Sequence, residues 1–569
     1  MSGSGVTTAR RRLIERARGR VPATTARAAA LLGAVLSLAS TFLAWSYGSA
    51  FPGNLTIYGY PGGAQVYVLV LALVAIVLLL LEVSPLRRVL APGGAGGAVR
   101  VLASGVFLVT AFTVLAIGVE LGGLINVEWG GWAALLAAAV FVVAGRLLPD
   151  DRPAVWSYRL PDWVEFLIIA LVLGLALAAF VEALAIPEWE IFLCFLVALG
   201  GALTAAWRLG LVSWISEVGT RHRGVTVTAA FLVAAAFPFT QGSDNHWLNV
   251  MVNVGIFATT AIGLNIVVGL AGLLDLGYVA FLGVGAYVGA LLSGAAASTI
   301  GWNPPFAVTV VIGAVITAIV GVLIGTPTLR VRGDYLAIVT LGFGEIFRIT
   351  VNNLDGSTGP QVTNGPNGIP GIPDLKFLGI DFGQSHTVFG MNLGYFANYF
   401  FLELVLMAFV ILVFSRMNNS RLGRAWLAIR EDEVAAQAAG INTFRLKLLA
   451  FALGATLAGM AGTIQAHAIS SITPDSYQFL NSAFLVAAVV LGGMGTVTGA
   501  LLGSVVLLLL PEKFRFFQDN KLLIFGVTLV LVMRFRPEGV IANKRRKAEF
   551  HEEEISEELG REARAEGAR

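Results

Sequence analysis

Long apolar runs follow one another through almost the whole chain. About sixteen can be drawn, near residues 28–45, 66–81, 101–119, 132–148, 162–181, 189–207, 225–241, 248–270, 276–297, 305–325, 335–352, 398–416, 446–467, 479–495, 497–511 and 521–536. A helix across the hydrocarbon core needs roughly 20 predominantly apolar residues. No water reaches that core to bond exposed backbone, so only helices or closed barrels cross it. A barrel strand alternates apolar and polar residues, and these runs do not alternate. The expected fold class is an all-α polytopic membrane protein with about 16 transmembrane helices, six N-terminal and ten beyond. Glycines break the runs within 248–297 and 479–511, so the count there depends on how those breaks are read.

Composition excludes the main rivals. Only 13% of residues are charged and 57% are hydrophobic, against about 25% charged in a soluble domain. That rules out a soluble globule, a disordered chain and a disulfide-rich secreted module. A net charge of +3 gives no ground for a nucleic-acid partner. The single cysteine, Cys194, leaves no internal disulfide and no cysteine-based zinc or iron–sulfur site.

Charge placement orients the spans. Arg10, Arg11, Arg12, Arg16, Arg18, Arg20 and Arg27 precede the first run, with Glu15 the one acid among them. That run is long for a signal-peptide core and no cleavage site follows, so it reads as a retained span. The loops holding Arg87, Arg88 and Arg100, then Arg146, Arg152 and Arg159, then Arg208, Arg221 and Arg223, then Arg330 and Arg332, fall on the same side as the first seven. Segment 416–447 and the tail from Arg534 join them. Glu120, Glu128, Glu182, Glu188, Asp244 and the polar stretch 353–397 fall on the other. Basic loops remain cytoplasmic, so both termini are expected inside, with Lys513 and Arg515 as exceptions.

Four stretches carry the chemistry. GLNIVVGLAGLLDLGYVAFLGVGAYVGALL, residues 263–292, is rich in glycines that let helices approach or break. It holds Asn265, Gly269, Asp275, Tyr278, Gly283 and Tyr287. An ionisable residue in the membrane is a functional candidate, yet Asp275 equally suits a helix cap, and the two tyrosines suit either a substrate path or packing. TLRVRGDYLAIVTLGFGEIFRI, residues 328–349, places Glu345 and Arg348 three apart on one helix face, as an ion pair or as substrate ligands. SRLGRAWLAIREDEVAAQAAGIN, residues 420–442, suits a short amphipathic helix on the membrane face, with Leu422, Trp426, Ile429, Val434, Ala438 and Ile441 as its apolar set. VVLGGMGTVTGALLGS at 489–504 makes a tight glycine turn, and FRPEGV closes the region at 535–540.

In this order the stretches resemble the M-type inner-membrane permease of branched-chain amino-acid ABC importers, over about residues 225–543. The resemblance divides the chain into a basic segment 1–27, a six-span extension 28–223 with no counterpart, a permease domain 224–543 and a charged tail 544–569. It implies that loop 417–445 couples to an ATPase through Gly423, Arg424, Arg430, Glu433, Ala435, Ala436 and Gly440, with Gly440 giving a left-handed or close-packed exit. From the residues themselves, Asn265, Gly269, Asp275, Tyr278, Gly283, Tyr287 and Glu345 are the candidates for a substrate path. The partners implied are a second permease, two ATP-binding subunits that carry ATP and magnesium, and an extracytoplasmic binding protein docking on the external loop.

No G-x-x-x-x-G-K-[ST] loop occurs, so this chain is not expected to hydrolyse ATP, and no cofactor is expected on it. His222, His246, His386, His467 and His551 form no metal pattern, His467 reads as interfacial, and there is no credible catalytic triad. Urea or short amides are the alternative substrates. An ion-coupled secondary transporter or an integral membrane enzyme are rivals from other classes.

Overall fold

The computed structural model describes residues 22–46 and 62–513, apart from 86, 88–90, 92, 150, 152–155, 157, 243–244, 331–333, 358, 378 and 389, together with positions 523, 526, 527, 530, 534 and 539. The arginines at 10–20, residues Arg88, Arg152, Asp244, Arg332 and Arg515, most of span 521–536 and of 535–540, and the tail 544–569 lie outside the described residues.

The chain forms two compact units, Met1–Ala234 and Ala235–Arg569. In the first, α1 (Ala23–Ser40), α2 (Ala64–Val83), α3 (Gly96–Glu120), α4 (Trp129–Arg146), α5 (Asp162–Ala185) and α6 (Trp189–Arg208) are all long and apolar enough to cross a membrane. Small residues set the spacing between them. A Cβ at Gly130 would strike the Ala44 carbonyl, and one at Gly33 would lie 2.7 Å from Phe141 Cα. A further short helix, α7 (Leu211–Arg221), is amphipathic, with Leu211, Trp214, Ile215 and Val218 along one stripe. The loop expected between runs 189–207 and 225–241 therefore contains a helix of 11 residues.

At α7 the buried Glu165 carboxylate accepts from Arg221 Nη1 at 2.8 Å and lies 2.9 Å from His222 Nε2. A charge this buried in an apolar bundle is tolerable only when paired.

The helix α8 (Arg223–Gln241) crosses the division between the units. The second unit continues with α9 (Asn245–Asn265), α10 (Val279–Leu291), α11 (Phe306–Thr328), α12 (Asp334–Asn353), α13 (Tyr395–Asn418), α14 (Arg421–Glu431), α15 (Glu433–Ala438), α16 (Thr443–Ile469), α17 (Phe479–Gly492) and α18 (Val497–Lys513). The most buried long helices here are α9 and α16. The latter packs on α9, α10 and α11 through a small-residue face. Gly285 meets the Gly459 backbone, Gly462 meets the Leu282 carbonyl, and Gly289 lies against Thr463. Lipid offers no hydrophobic drive between helices, so close van der Waals contact must hold them.

Twelve described helices qualify as spans by length and composition. The apolar runs 276–297, 479–495 and 497–511 instead carry the shorter α10, α17 and α18. Together these make fifteen described helices for fifteen of the expected runs, and run 521–536 lies mostly outside the described residues. Helix α10 has 13 residues, about 20 Å at 1.5 Å per residue, short of the roughly 30 Å core.

Between α12 and α13 lie short strands. One of them pairs far along the chain: Ile369–Pro370 runs antiparallel to Ser471–Ile472 just after α16. His467 is buried beneath this segment, with Nδ1 3.0 Å from the Pro373 carbonyl oxygen. It is covered because the loop folds back over the helix end.

Candidate functional site

Three neighbourhoods contain the residues singled out above, and the first is a broken helix. Helix α9 ends in a π-helical turn, Ile266–Leu270, and the chain then runs without helix until α10 begins at Val279. Gly272 takes φ +72° in this stretch. Ala271, Leu273, Asp275, Gly277 and Tyr278 of this stretch are buried, while Gly272 and Leu274 are exposed. Asn265 is fully buried and fastens the break. Its Nδ2 donates to the Thr496 carbonyl and its Oδ1 accepts from Gly495 N, both at 2.8 Å. Gly269 is close-packed, since a Cβ there would strike the Asn265 side chain and lie 2.6 Å from Gly495 N.

Asp275 is buried, and its Oδ1 accepts from Gly277 N at 2.9 Å. It thus closes a turn two residues before the helix rather than capping α10 directly, where Tyr278 is the N-cap. Its Oδ2 has no hydrogen-bond partner among the described residues. Tyr278 is also buried and donates to the Gly454 carbonyl at 2.6 Å, so it ties α10 to α16 and lines no open path.

The second neighbourhood is loop 417–445. The single amphipathic helix expected there is two helices, α14 and α15, broken at Asp432. Asp432 is extended (φ −151°, ψ 107°), and its carboxylate accepts from Val434 N and Ala435 N at 2.8 and 3.0 Å. An acidic N-cap favours a new helix start over continuation, so the run Glu431-Asp432-Glu433 carried the signal for the break.

Gly423, Trp426 and Ile429 are buried along one face of α14, and Trp426 Nε1 donates to the Leu446 carbonyl at 2.7 Å. Gly423 is packed against the Met417 carbonyl, while Arg424 is exposed. Arg430 Nη1 donates to the Gly269 carbonyl at 2.8 Å, and a Cβ at Gly272 would lie 2.7 Å from Arg430 Cγ. The loop therefore grips the broken helix directly.

In α15 the buried side is Ala436, whereas Ala435 and Val434 are exposed. Val434, in the apolar set expected from sequence, follows the break at Asp432 and is 68% exposed. Glu433 is already paired within the chain, its Oε1 2.7 Å from Lys447 Nζ. Gly440 has φ +85°, and a Cβ there would meet nothing within 4 Å. Its N–H donates to Gln437 O and that of Ile441 to Ala436 O, a Schellman ending. Gly440 thus makes a left-handed exit, and nothing within this chain packs against it.

The third neighbourhood joins α10, α12 and the turn before α17. The Tyr287, Phe347 and Tyr477 rings lie 6.2–6.3 Å apart in all three pairings. Gly283 makes room for two of them, since a Cβ there would be 2.5 Å from Phe347 Cε1 and 2.9 Å from Tyr477 Cγ. Glu345 Oε2 accepts from Arg348 Nε at 2.9 Å, and Arg348 Nη1 is 3.5 Å from Asp475 Oδ1. Phe347, Asp475 and Tyr477 were not singled out from sequence, because a turn residue and two aromatics carry no distinguishing pattern. Glu403 was also missed, although an acid inside the run 398–416 is a legible signal. It is buried on α13 and accepts from Thr259 Oγ1 at 2.5 Å.

Many apolar helices, a π-helical ending to α9 and an amphipathic loop bonded to that ending describe a polytopic membrane protein. The chain belongs to the family described as branched-chain amino acid transport system / permease component, whose model matches residues 247–533. It is 39% identical over 327 residues to the high-affinity branched-chain amino acid transport system permease protein LivM of Salmonella typhimurium, covering 55% of this chain and 73% of that one. The corresponding Escherichia coli K12 protein is 38% identical, with 55% and 74% covered. The E. coli K12 permease LivH is 33% identical over 125 residues, 21% of this chain and 40% of that one. No solved structure matches.

Proposed function

We propose that this chain is one of the two permease subunits of an ABC importer for branched-chain amino acids in the cytoplasmic membrane, with both termini inside. Two partner subunits bind and hydrolyse ATP with magnesium and dock on α14 and α15. An extracytoplasmic binding protein delivers substrate to the segment between α12 and α13. The observation that carries the coupling is the bond from Arg430 to the Gly269 carbonyl. The two-helix loop is thereby joined to the π-helical ending of α9.

Displacement of the loop by a partner would pull on the break and shift the α9–α10 connection, without any new chemistry in this chain. The exposed small face of Val434, Ala435 and Ala438 suits insertion into a groove, while the Schellman ending and the Glu433–Lys447 pair fix its angle.

The test is reconstitution with the second permease, the ATPases and the binding protein in liposomes. Leucine, isoleucine and valine are expected to enter in an ATP-dependent way. Uptake of urea or short amides in preference to these would overturn the substrate reading. Uptake without ATPase subunits, driven by an ion gradient, would overturn the ABC reading.

A further inference from the structure

Helix α12 is one of the least buried spans of the second unit, and it carries two charges inside the membrane. Glu345 and Arg348 lie eight and five residues before its last residue, Asn353, so about 12 and 8 Å below that end at 1.5 Å per residue. Tyr335, Ile338, Ile346 and Ile349 on this helix are exposed, and a Cβ at Gly342 would meet nothing. Glu345 and Arg348 are themselves part-exposed, 32% and 28% at the side chain. Charged side chains inside a span face a bundle interior or a water-filled route rather than lipid. Glu345 and Arg348 meet this requirement by turning toward the Pro474–Tyr477 turn, where Arg348 approaches Asp475.

A second observation points to a ligand there. The Tyr287 hydroxyl is buried and has no hydrogen-bond partner among the described residues. Its ring is held between Phe347 and Tyr477, and the Asp475 carboxylate lies within electrostatic reach of it. An unpaired buried hydroxyl is costly. Beside it Arg348 spans two carboxylates unequally, with a short bond to Glu345 and a 3.5 Å separation from Asp475. The longer arm exceeds the usual 2.7–2.9 Å of a charge-assisted bond, so it opens at little cost.

We propose that Arg348, Glu345, Asp475 and Tyr287 form a station that grips the charged head of a free α-amino acid on its way through, resting on the proposed function above. The guanidinium takes the α-carboxylate in its planar fork. The Glu345 and Asp475 carboxylates, with the Tyr287 oxygen, take the α-ammonium. The aliphatic side chain lies against the Phe347 and Tyr477 rings. The station reads the zwitterion common to all α-amino acids and leaves the choice among side chains to the apolar wall and the delivering protein.

The test uses the complete reconstituted complex and scores leucine imported per ATP hydrolysed. Arg348→Gln is expected to lower that ratio at least tenfold, with ATP hydrolysis still stimulated by the loaded binding protein. The decisive variant is the swap Glu345→Arg with Arg348→Glu, which keeps an ion pair on the helix but reverses its polarity. A merely structural pair would survive the swap, whereas the proposal expects a loss as large as that of Arg348→Gln. A swap variant importing within twofold of the parent overturns the proposal. If these variants fail to assemble, Asp475→Asn at the exposed rim serves instead: at least a threefold loss is expected, and parental import overturns the proposal. A parent complex that imports no branched-chain amino acid refutes the proposed function itself, and is told apart because the parent, not the variant, then fails.

Discussion

Replacing Arg430 by Met keeps most of the side-chain volume over Gly272 and removes the guanidinium that bonds Gly269. The change removes a charge-assisted hydrogen bond of 2.8 Å to the Gly269 carbonyl. Bonds to a charged partner contribute about 1.5–3 kcal/mol. Arg430 is only part-buried, and solvent screening lowers the figure to about 1–2 kcal/mol. If this bond links the loop to the broken helix, its loss weakens the linkage by that amount, a factor of about 5–30 in the coupled fraction. The protein should still insert and assemble, because Trp426, Ile429 and Gly423 hold α14 in place. The assay is leucine uptake and binding-protein-stimulated ATP hydrolysis measured on the same liposomes. Hydrolysis should continue while leucine moved per ATP falls about 5–30-fold, and Arg430→Lys should recover part of it. An Arg430→Met complex with the parental ratio would show that the bond to Gly269 transmits nothing.

Other substitutions follow from the geometry. Gly440→Ala and Gly440→Leu should cost nearly the same, about 1–2 kcal/mol each, because the cost is the left-handed backbone and no neighbour meets a side chain there; a much larger defect in Leu, by loop proteolysis and uptake, would mean a close contact after all. Gly285→Ala should reduce the yield of folded protein, since its Cβ would collide with the Gly459 backbone in α16, while Gly174→Ala, with nothing within 4 Å, should be neutral or stabilising by up to about 1 kcal/mol; equal detergent stability of the two would refute this packing account. In the membrane, a cysteine at Asn418 should label only from the cytoplasm and one at Asn367 only from outside, after Cys194→Ala; external labelling at Asn418 would invert the orientation.

Sequence alone settles that this chain is a bundle of membrane helices. The hydropathy of each run and the obligation of every buried N–H and C=O to be paired allow nothing else. The left-handed exit at Gly440 was legible because it is a local backbone property, although the same residue was equally consistent with close packing. Tertiary structure decided what depends on distant partners. Asn265 and Gly269 carried no mark that one would be bonded to the turn at 495–496 and the other to Arg430, 161 positions on. The break before Val434 followed from a cap at Asp432 competing with helix continuation, a balance that hydrophobic spacing does not report. The aromatic trio around Gly283 required three segments to meet, and in a uniformly apolar sequence one phenylalanine is indistinguishable from another. Periodicity and charge tell which segments must be helical and which side they face. Which small residue meets which backbone is fixed by shape alone, and shape exists only once the helices are packed.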